Sequence, residues 1–261
     1  MGAINVKHTG SGADVSLSSD GTDLLLDGSA IGGGGGAALE LYAENPSSPS
    51  TPSATGTNAV AIGSGSSAAQ NGNIALGQQA NASGNSRAIA LGYLATASGN
   101  YSLSAGPFSD ATGAASTALG YKAQAVSGSE STALSNSYAS GASSFAAAIA
   151  NNTSTYGASG ANSVAMGDRA KASGSRSFSL GRFGQATNTR SINIGDSAAS
   201  TGASSVAIGY TAVASQTYST AIGYRSSSDI VGKYAYAGGA FAATGDSQTG
   251  TFVLRSDTTD A

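Results

Sequence analysis

The chain has 261 residues, of which 38 are glycine and 10% are charged, and it contains neither cysteine nor tryptophan. Globular domains average about 7% glycine, so this chain has roughly twice the usual content and few bulky side chains for a wide core. Its net charge of -3 makes nucleic acid a poor partner. The absence of cysteine excludes disulfide scaffolds and thiolate metal sites, and no apolar run approaches the ~18 residues of a membrane-spanning helix.

Residues 1–31 are predicted to form a small unit of β-hairpins, because short alternating segments are separated by turn pairs. The expected strands are Asn5–His8, Asp14–Leu17 and Leu24–Leu26, and the expected turns are Asp20-Gly21 and Asp27-Gly28. The first ten residues, MGAINVKHTG, lack the apolar region of a signal peptide, so none is predicted. Residues 32–58, with five consecutive glycines and the proline-rich stretch NPSSPSTPS, are predicted to be a linker.

From residue 59 a phrase of about fourteen residues repeats, with the form Ser-h-Ala-h-Gly-x-x-Ala-x-Ala-x-Gly-x-x, where h is apolar. In one copy, Val206 and Ile208 alternate with Ala207, which is the pattern of a β-strand. Gly209 ends that strand, because glycine enters left-handed turns without steric cost. The Ala-x-Ala half predicts a second short strand. Two strands and two turns at a fixed period predict a parallel β-roll or β-helix.

The array is predicted to run from residue 59 to residue 238. Its phrases begin at 59, 73, 88, 102, 116, 131, 144, 163, 177, 191, 205, 219 and 234. At about 4.8 Å a coil, these would form a rod of roughly 60 Å. The glycines expected at the corners are Gly63, Gly77, Gly92, Gly106, Gly120, Gly167, Gly181, Gly195, Gly209, Gly223 and Gly238.

The pattern is least regular from Ser131 to Asn162. Ser135 replaces a corner glycine, and five residues are added around Ile149–Tyr156. A loop that leaves the roll is one interpretation, and a loop that contacts a ligand is the other. Residues 239–261 are predicted to be a C-terminal transition segment that includes one strand, Thr251–Arg255.

A single roll of this composition is marginally stable. Each coil has only two bulky apolar side chains, and burying them does not by itself offset the conformational entropy lost when the coil becomes ordered; ladder hydrogen bonds and packed alanines narrow that gap. We therefore expect a homo-oligomer, in which one apolar set lines the roll and another lines the contact between chains. The pattern leaves open which set does which.

No catalytic, cofactor or metal site is predicted. His8 is the only histidine and has no partners for a triad. Asp20, Asp23 and Asp27 are interpreted as turn residues rather than cation ligands. The Gly32–Gly36 run lacks the Lys-Ser/Thr of a phosphate loop, and pairs of acidic residues suited to glycoside hydrolysis are missing.

Tyrosines recur directly after four corner glycines, at Tyr93, Tyr121, Tyr210 and Tyr224. Equivalent residues of stacked coils lie above one another, so these rings are candidates for a structural ladder or, alternatively, for surface ligand contacts such as glycan stacking. Cationic residues cluster in two coils and are interpreted first as a solvated face; they are Arg169, Lys171, Arg176, Arg182 and Arg190.

The phrase resembles the YadA-like head repeat of trimeric autotransporter adhesins, as in SVAIG followed by Ala-x-Ala at Ser205–Ala214 and AIALGYLATASG at Ala88–Gly99. The resemblance extends over about residues 59–238 and implies a left-handed parallel β-roll of three chains. Those adhesins also carry a signal peptide, a coiled-coil stalk and a membrane barrel, which we do not expect from this sequence.

The flanking phrases are similar to segments of bacteriophage structural proteins, particularly tail fibres that use the same repeat. These phrases are MGAINVKHTGSG, SSDGTDLLLDG and GDSQTGTFVLRSDTTDA. The expected function is therefore a non-enzymatic virion fibre, a homotrimer that docks through residues 1–31 onto other virion proteins and presents a part that binds a host glycan or protein. A bacterial surface adhesin head and a capsid-decorating fibre remain alternatives.

Overall fold

The structure is a computed structural model. It describes residues 50–149 and 154–251, together with the backbone of four N-terminal strands. The chain divides into a unit of residues 1–40 and a unit of residues 41–261. The N-terminal strands are Ile4–Val6, Val15–Ser19, Leu24–Leu26 and Ser29–Ala30. They pair in chain order as an antiparallel sheet.

The second unit is a stack of coils with two parallel sheets, which we call the front and the back sheet. The front sheet contains strands of three or four residues; they are Val60–Ile62, Ile74–Leu76, Ile89–Leu91, Leu103–Ala105, Thr117–Leu119, Thr132–Leu134, Phe145–Ala147, Val164–Met166, Phe178–Leu180, Ile192–Ile194, Val206–Ile208, Thr220–Gly223 and Tyr234–Ala237. A further strand, Thr249–Thr251, pairs antiparallel with the last of these.

The back sheet contains 13 strands of two residues each. They are Ser53–Ala54, Ser67–Ala68, Asn81–Ala82, Thr96–Ala97, Asp110–Ala111, Gln124–Ala125, Tyr138–Ala139, Gly157–Ala158, Lys171–Ala172, Gln185–Ala186, Ala199–Ser200, Val213–Ala214 and Ser227–Ser228. The described residues contain no helix, so the prediction of an all-β parallel roll with a period of about fourteen residues is confirmed for them.

Small side chains fill the interior between the two sheets. Ala207, Ala212 and Ala214 are fully buried, whereas Val206 and Ile208 on the same strand remain partly exposed. The structure thus shows which set lines the roll, because alanine faces the interior and the bulky apolar side chains of the front strands point outward. Serine at the first position of the phrase is also buried. In six coils its hydroxyl donates to the carbonyl three residues earlier, as in Ser205 Oγ to Gly202 O at 2.6 Å. The hydroxyls of Ser144, Ser163 and Ser177 are buried without such a bond.

Ten of the eleven predicted corner glycines have φ between 106° and 140°. At Gly209, with φ 130°, an added Cβ would collide with the backbone of Gly223 in the next coil. Gly238 is the exception and corrects the predicted register. Tyr234 pairs with Thr220 and Ala237 with Gly223, so Ala237 occupies the corner, and the last phrase begins one residue earlier than predicted.

Most coils also contain left-handed residues that are not glycine. Thr211 has φ 50° and Tyr218 has φ 58°, and residues of many types occupy the equivalent positions in other coils. This conformation costs about 1–2 kcal/mol for a residue with a Cβ. Hydrogen bonds to the preceding coil offset the cost, from Thr211 N to Asp196 O and from Tyr218 N to Ala203 O, both 2.9 Å.

The N-terminal end of the roll differs from the predicted boundary. The first back-sheet strand, Ser53–Ala54, pairs with Ser67–Ala68, so the roll begins within the stretch predicted as linker. At the other end, the segment before Thr249–Thr251 is organised by Asp246, whose carboxylate accepts hydrogen bonds from three backbone amides of residues 241–243. Most of the predicted strand Thr251–Arg255 lies outside the described residues.

Candidate functional site: the outer faces of the roll

The outward side of the front sheet, which we call the front face, is an apolar stripe. It consists of the first and third residues of each parallel front strand. In the described strands these positions hold apolar residues, apart from threonine at 117, 132 and 220, and none is charged. Leu119 and Tyr236 are 50% and 52% exposed. With a length of roughly 60 Å and a width of about 7 Å, the stripe covers about 400 Å², which matches the largest apolar patch of a typical monomer, a size that often marks an interaction surface.

The outward side of the back sheet, the back face, is mostly polar. Its outward positions include Asn81, Thr96, Asp110, Gln124 and Lys171. Asp110 is the unusual member, because its Oδ1 is buried without a hydrogen-bond partner, and burial raises the pKa of this carboxyl above its ordinary value. The two faces point in opposite directions because the interior lies between the sheets.

The four predicted tyrosines form two separate groups. Tyr93 and Tyr121 are joined through Phe108, whose ring lies edge-on to both at centroid distances of 5.2 and 6.0 Å. Tyr210 and Tyr224 stack directly, with centroids 5.2 Å apart and an angle of 13° between the rings.

All five rings are between 41% and 52% exposed. Asp168, Arg182 and Asp196 follow the corner glycines of the coils in between, so the aromatic column is interrupted. Phe108 was missed by the sequence analysis because it lies two residues after its corner glycine instead of one.

The predicted cationic cluster is divided by an ion pair. Arg182 contacts Asp196 at 2.9 Å, and the hydrogen bonds from Ser197 and Arg182 lower the pKa of the Asp196 carboxyl. Arg169 and Lys171 make no ion pair with a carboxylate of the described residues. Instead, they line a groove with Thr155, Tyr156, Phe183 and Gln185.

The remaining candidates from the sequence stay untested. His8, Asp20, Asp23, Asp27 and the five-glycine run lie outside the described residues. Among the residues that are described, no group of three or more His, Cys, Asp or Glu side chains is placed to hold a metal ion. Within the same part of the chain, no helix is long and apolar enough to cross a bilayer.

The YadA head domain repeat matches the chain at residues 54–72, 74–93, 86–109, 111–134, 158–183 and 200–226. No curated protein matches the chain. The β-roll of YadA heads is a structural fold of surface adhesins, and such heads are typically trimeric. The matched ranges together cover just over half of the chain and coincide with the coils described above. The chain therefore belongs to the YadA head repeat family.

Proposed function

We propose that the chain is the non-enzymatic head of a homotrimeric attachment fibre. The observation that carries the proposal is the apolar front face, which is free of charged residues over its whole described length. A roll whose interior contains mainly alanine and serine gains little from its own core, so covering the outward Val, Ile, Leu and Phe side chains supplies the missing stabilisation. Packing of three front faces leaves the back faces available for ligands; the number three follows from the family.

The mass of the purified chain tests this assembly. Light scattering after size exclusion should give three times the chain mass of 25.0 kDa. Phe178→Glu on the front face should lower that mass, because it places a charge in the contact between chains. Gln185→Glu, in the same coil but on the back face, is the matched control and should leave the mass unchanged. A wild-type monomer that unfolds cooperatively would contradict the proposal.

We further propose that the fibre belongs to a bacteriophage tail and that residues 1–31 dock it onto the particle. The support is the similarity of both flanking segments to phage structural proteins. An adhesin head on a bacterial surface is the second candidate, and the family match favours it because YadA heads are surface adhesins. Detection of the chain by mass spectrometry in purified virions would establish the first location, and its removal by protease from intact bacteria would establish the second.

A further inference from the structure

The groove beside the inserted segment combines two irregular features of the sequence. Nineteen residues separate Ser144 from Ser163, against fourteen in a regular coil. The end of the insertion, Thr155 and Tyr156, forms one wall of a groove of about 210 Å³. The cationic coils that follow form the rest of the lining, with Arg169, Lys171, Phe183 and Gln185. Thr155 and Tyr156 thus contribute one wall of a concave site on the roll surface.

Two positive charges in this groove form no ion pair within the part of the chain that the structure describes. The chain contains only 11 lysines and arginines, yet Arg169 and Lys171 line the same groove without an ion pair to any described carboxylate. Asp168, the acidic neighbour of Arg169 in sequence, acts electrostatically on Arg182, which is itself paired with Asp196. An anion entering the groove would therefore meet two cations that are available to bind it.

The groove is held in shape before any ligand binds. The guanidinium carbons of Arg169 and Arg182 lie 5.1 and 4.9 Å from the centre of the Phe183 ring, which restrains both side chains by cation–π contact. The Arg169 backbone is fixed by a 2.8 Å hydrogen bond from its amide to Ile149 O. Tyr156 packs against the buried alanine core and presents the rest of its ring to the groove.

We infer that this groove binds a carboxylated sugar. A guanidinium and an ammonium match a carboxylate, the Tyr156 ring offers an apolar surface for the face of a pyranose, and the Gln185 amide and Thr155 hydroxyl suit sugar hydroxyls. Lys171 and Gln185 belong to the back sheet, so the groove opens away from the front face and stays accessible in a trimer. The inference deepens the proposed function by naming a ligand class, and its failure would leave the trimer proposal intact.

Calorimetric titration of the full chain with sialyllactose, trigalacturonate, lactose and a glutamate tetrapeptide tests this inference. Arg169→Gln and Lys171→Gln remove one charge each, and the roll already accepts glutamine at equivalent positions, at Gln79 and Gln124. The matched control is Arg190→Asn, because Arg190 lies outside the groove lining and Asn162 occupies an equivalent left-handed position. Circular dichroism melting verifies that each variant remains folded.

We expect at least one acidic saccharide to bind and lactose to bind much more weakly. Each groove variant should weaken binding by about tenfold to a hundredfold, as expected for loss of a hydrogen bond to a charged group, and Arg190→Asn should bind like the wild type. Absence of binding by both acidic saccharides would overturn the inference. Equal binding of lactose, equal binding of a glutamate tetrapeptide, or the same affinity in Arg169→Gln would also overturn it.

Discussion

The collision at the corner glycines makes Gly209→Ala the most informative stability variant. An alanine at φ 130° would be strained, and its Cβ would lie 2.7 Å from the carbonyl carbon of Gly223. Backbone strain of this kind costs about 1–3 kcal/mol, and the next coil must also shift. We expect a loss of about 3 kcal/mol, which for a chain of this size lowers the melting midpoint by about 6–12 °C.

Two other glycines separate the cost of the left-handed backbone from the cost of the collision with the next coil. Gly232 has φ 70° with no atom within 4 Å of an added Cβ, and Ala115 occupies its equivalent position, so Gly232→Ala should cost only about 1 kcal/mol. Gly238 has no close neighbour and no left-handed φ, so Gly238→Ala should melt like the wild type. Thermal scans followed by circular dichroism measure all three. Equal midpoints for Gly209→Ala and Gly238→Ala would refute the assignment of the corner.

Three further predictions concern single sites. Gly184→Ala should destabilise the wild type, because an added Cβ would collide with Asn193 Oδ1. The same change should have no such effect in the Asn193→Ala variant. Additive changes in the melting midpoint across this double-mutant cycle would argue against the contact. Asp110→Asn should raise the melting midpoint at pH 7. Burial raises the pKa of the folded-state carboxyl, so the stability of the wild type falls as pH rises above the ordinary carboxyl pKa. The variant lacks this carboxyl, so its melting midpoint should depend less on pH in that range. Asp196→Asn should change the midpoint little, because its pair with Arg182 is exposed; a large drop would contradict this.

The period was predictable from the sequence, but the orientation of the strand was not. Alternation shows that Val206 and Ile208 share a side, and it does not say which side is inside. The structure places Ala207 inside, because the space between two closely stacked sheets is filled mainly by small side chains. The larger Asn193 fits at the equivalent position because it lies against Gly184, which has no side chain. The wrong assignment of Gly238 to a corner has a similar origin. The segment Tyr234–Ala237 alternates between alanine and tyrosine, so the pattern fits either of two registers, and only the pairing with Thr220–Gly223 fixes the register.

The groove and the contact between Gly184 and Asn193 in the core could be identified only from the structure. Nothing in the sequence places Tyr156 beside Arg169, because the length of the insertion does not fix where its end returns. The pair of Gly184 and Asn193 did leave a trace in the sequence. Glycine occupies an alanine position in one coil, and asparagine occupies an alanine position in the next. Comparing neighbouring phrases for compensating changes in volume would have found it.

The inserted segment has a practical consequence for engineering. Ala139 pairs with Ala158, and Phe145–Ala147 pairs with Val164–Met166, so the hydrogen-bond ladder continues across the insertion in unbroken register. Closing a longer loop costs only about 0.6 kcal/mol for each doubling of its length. The sequence after Ile149 is therefore a natural grafting point, where a foreign epitope or peptide tag can be inserted while the strands on either side keep their pairing.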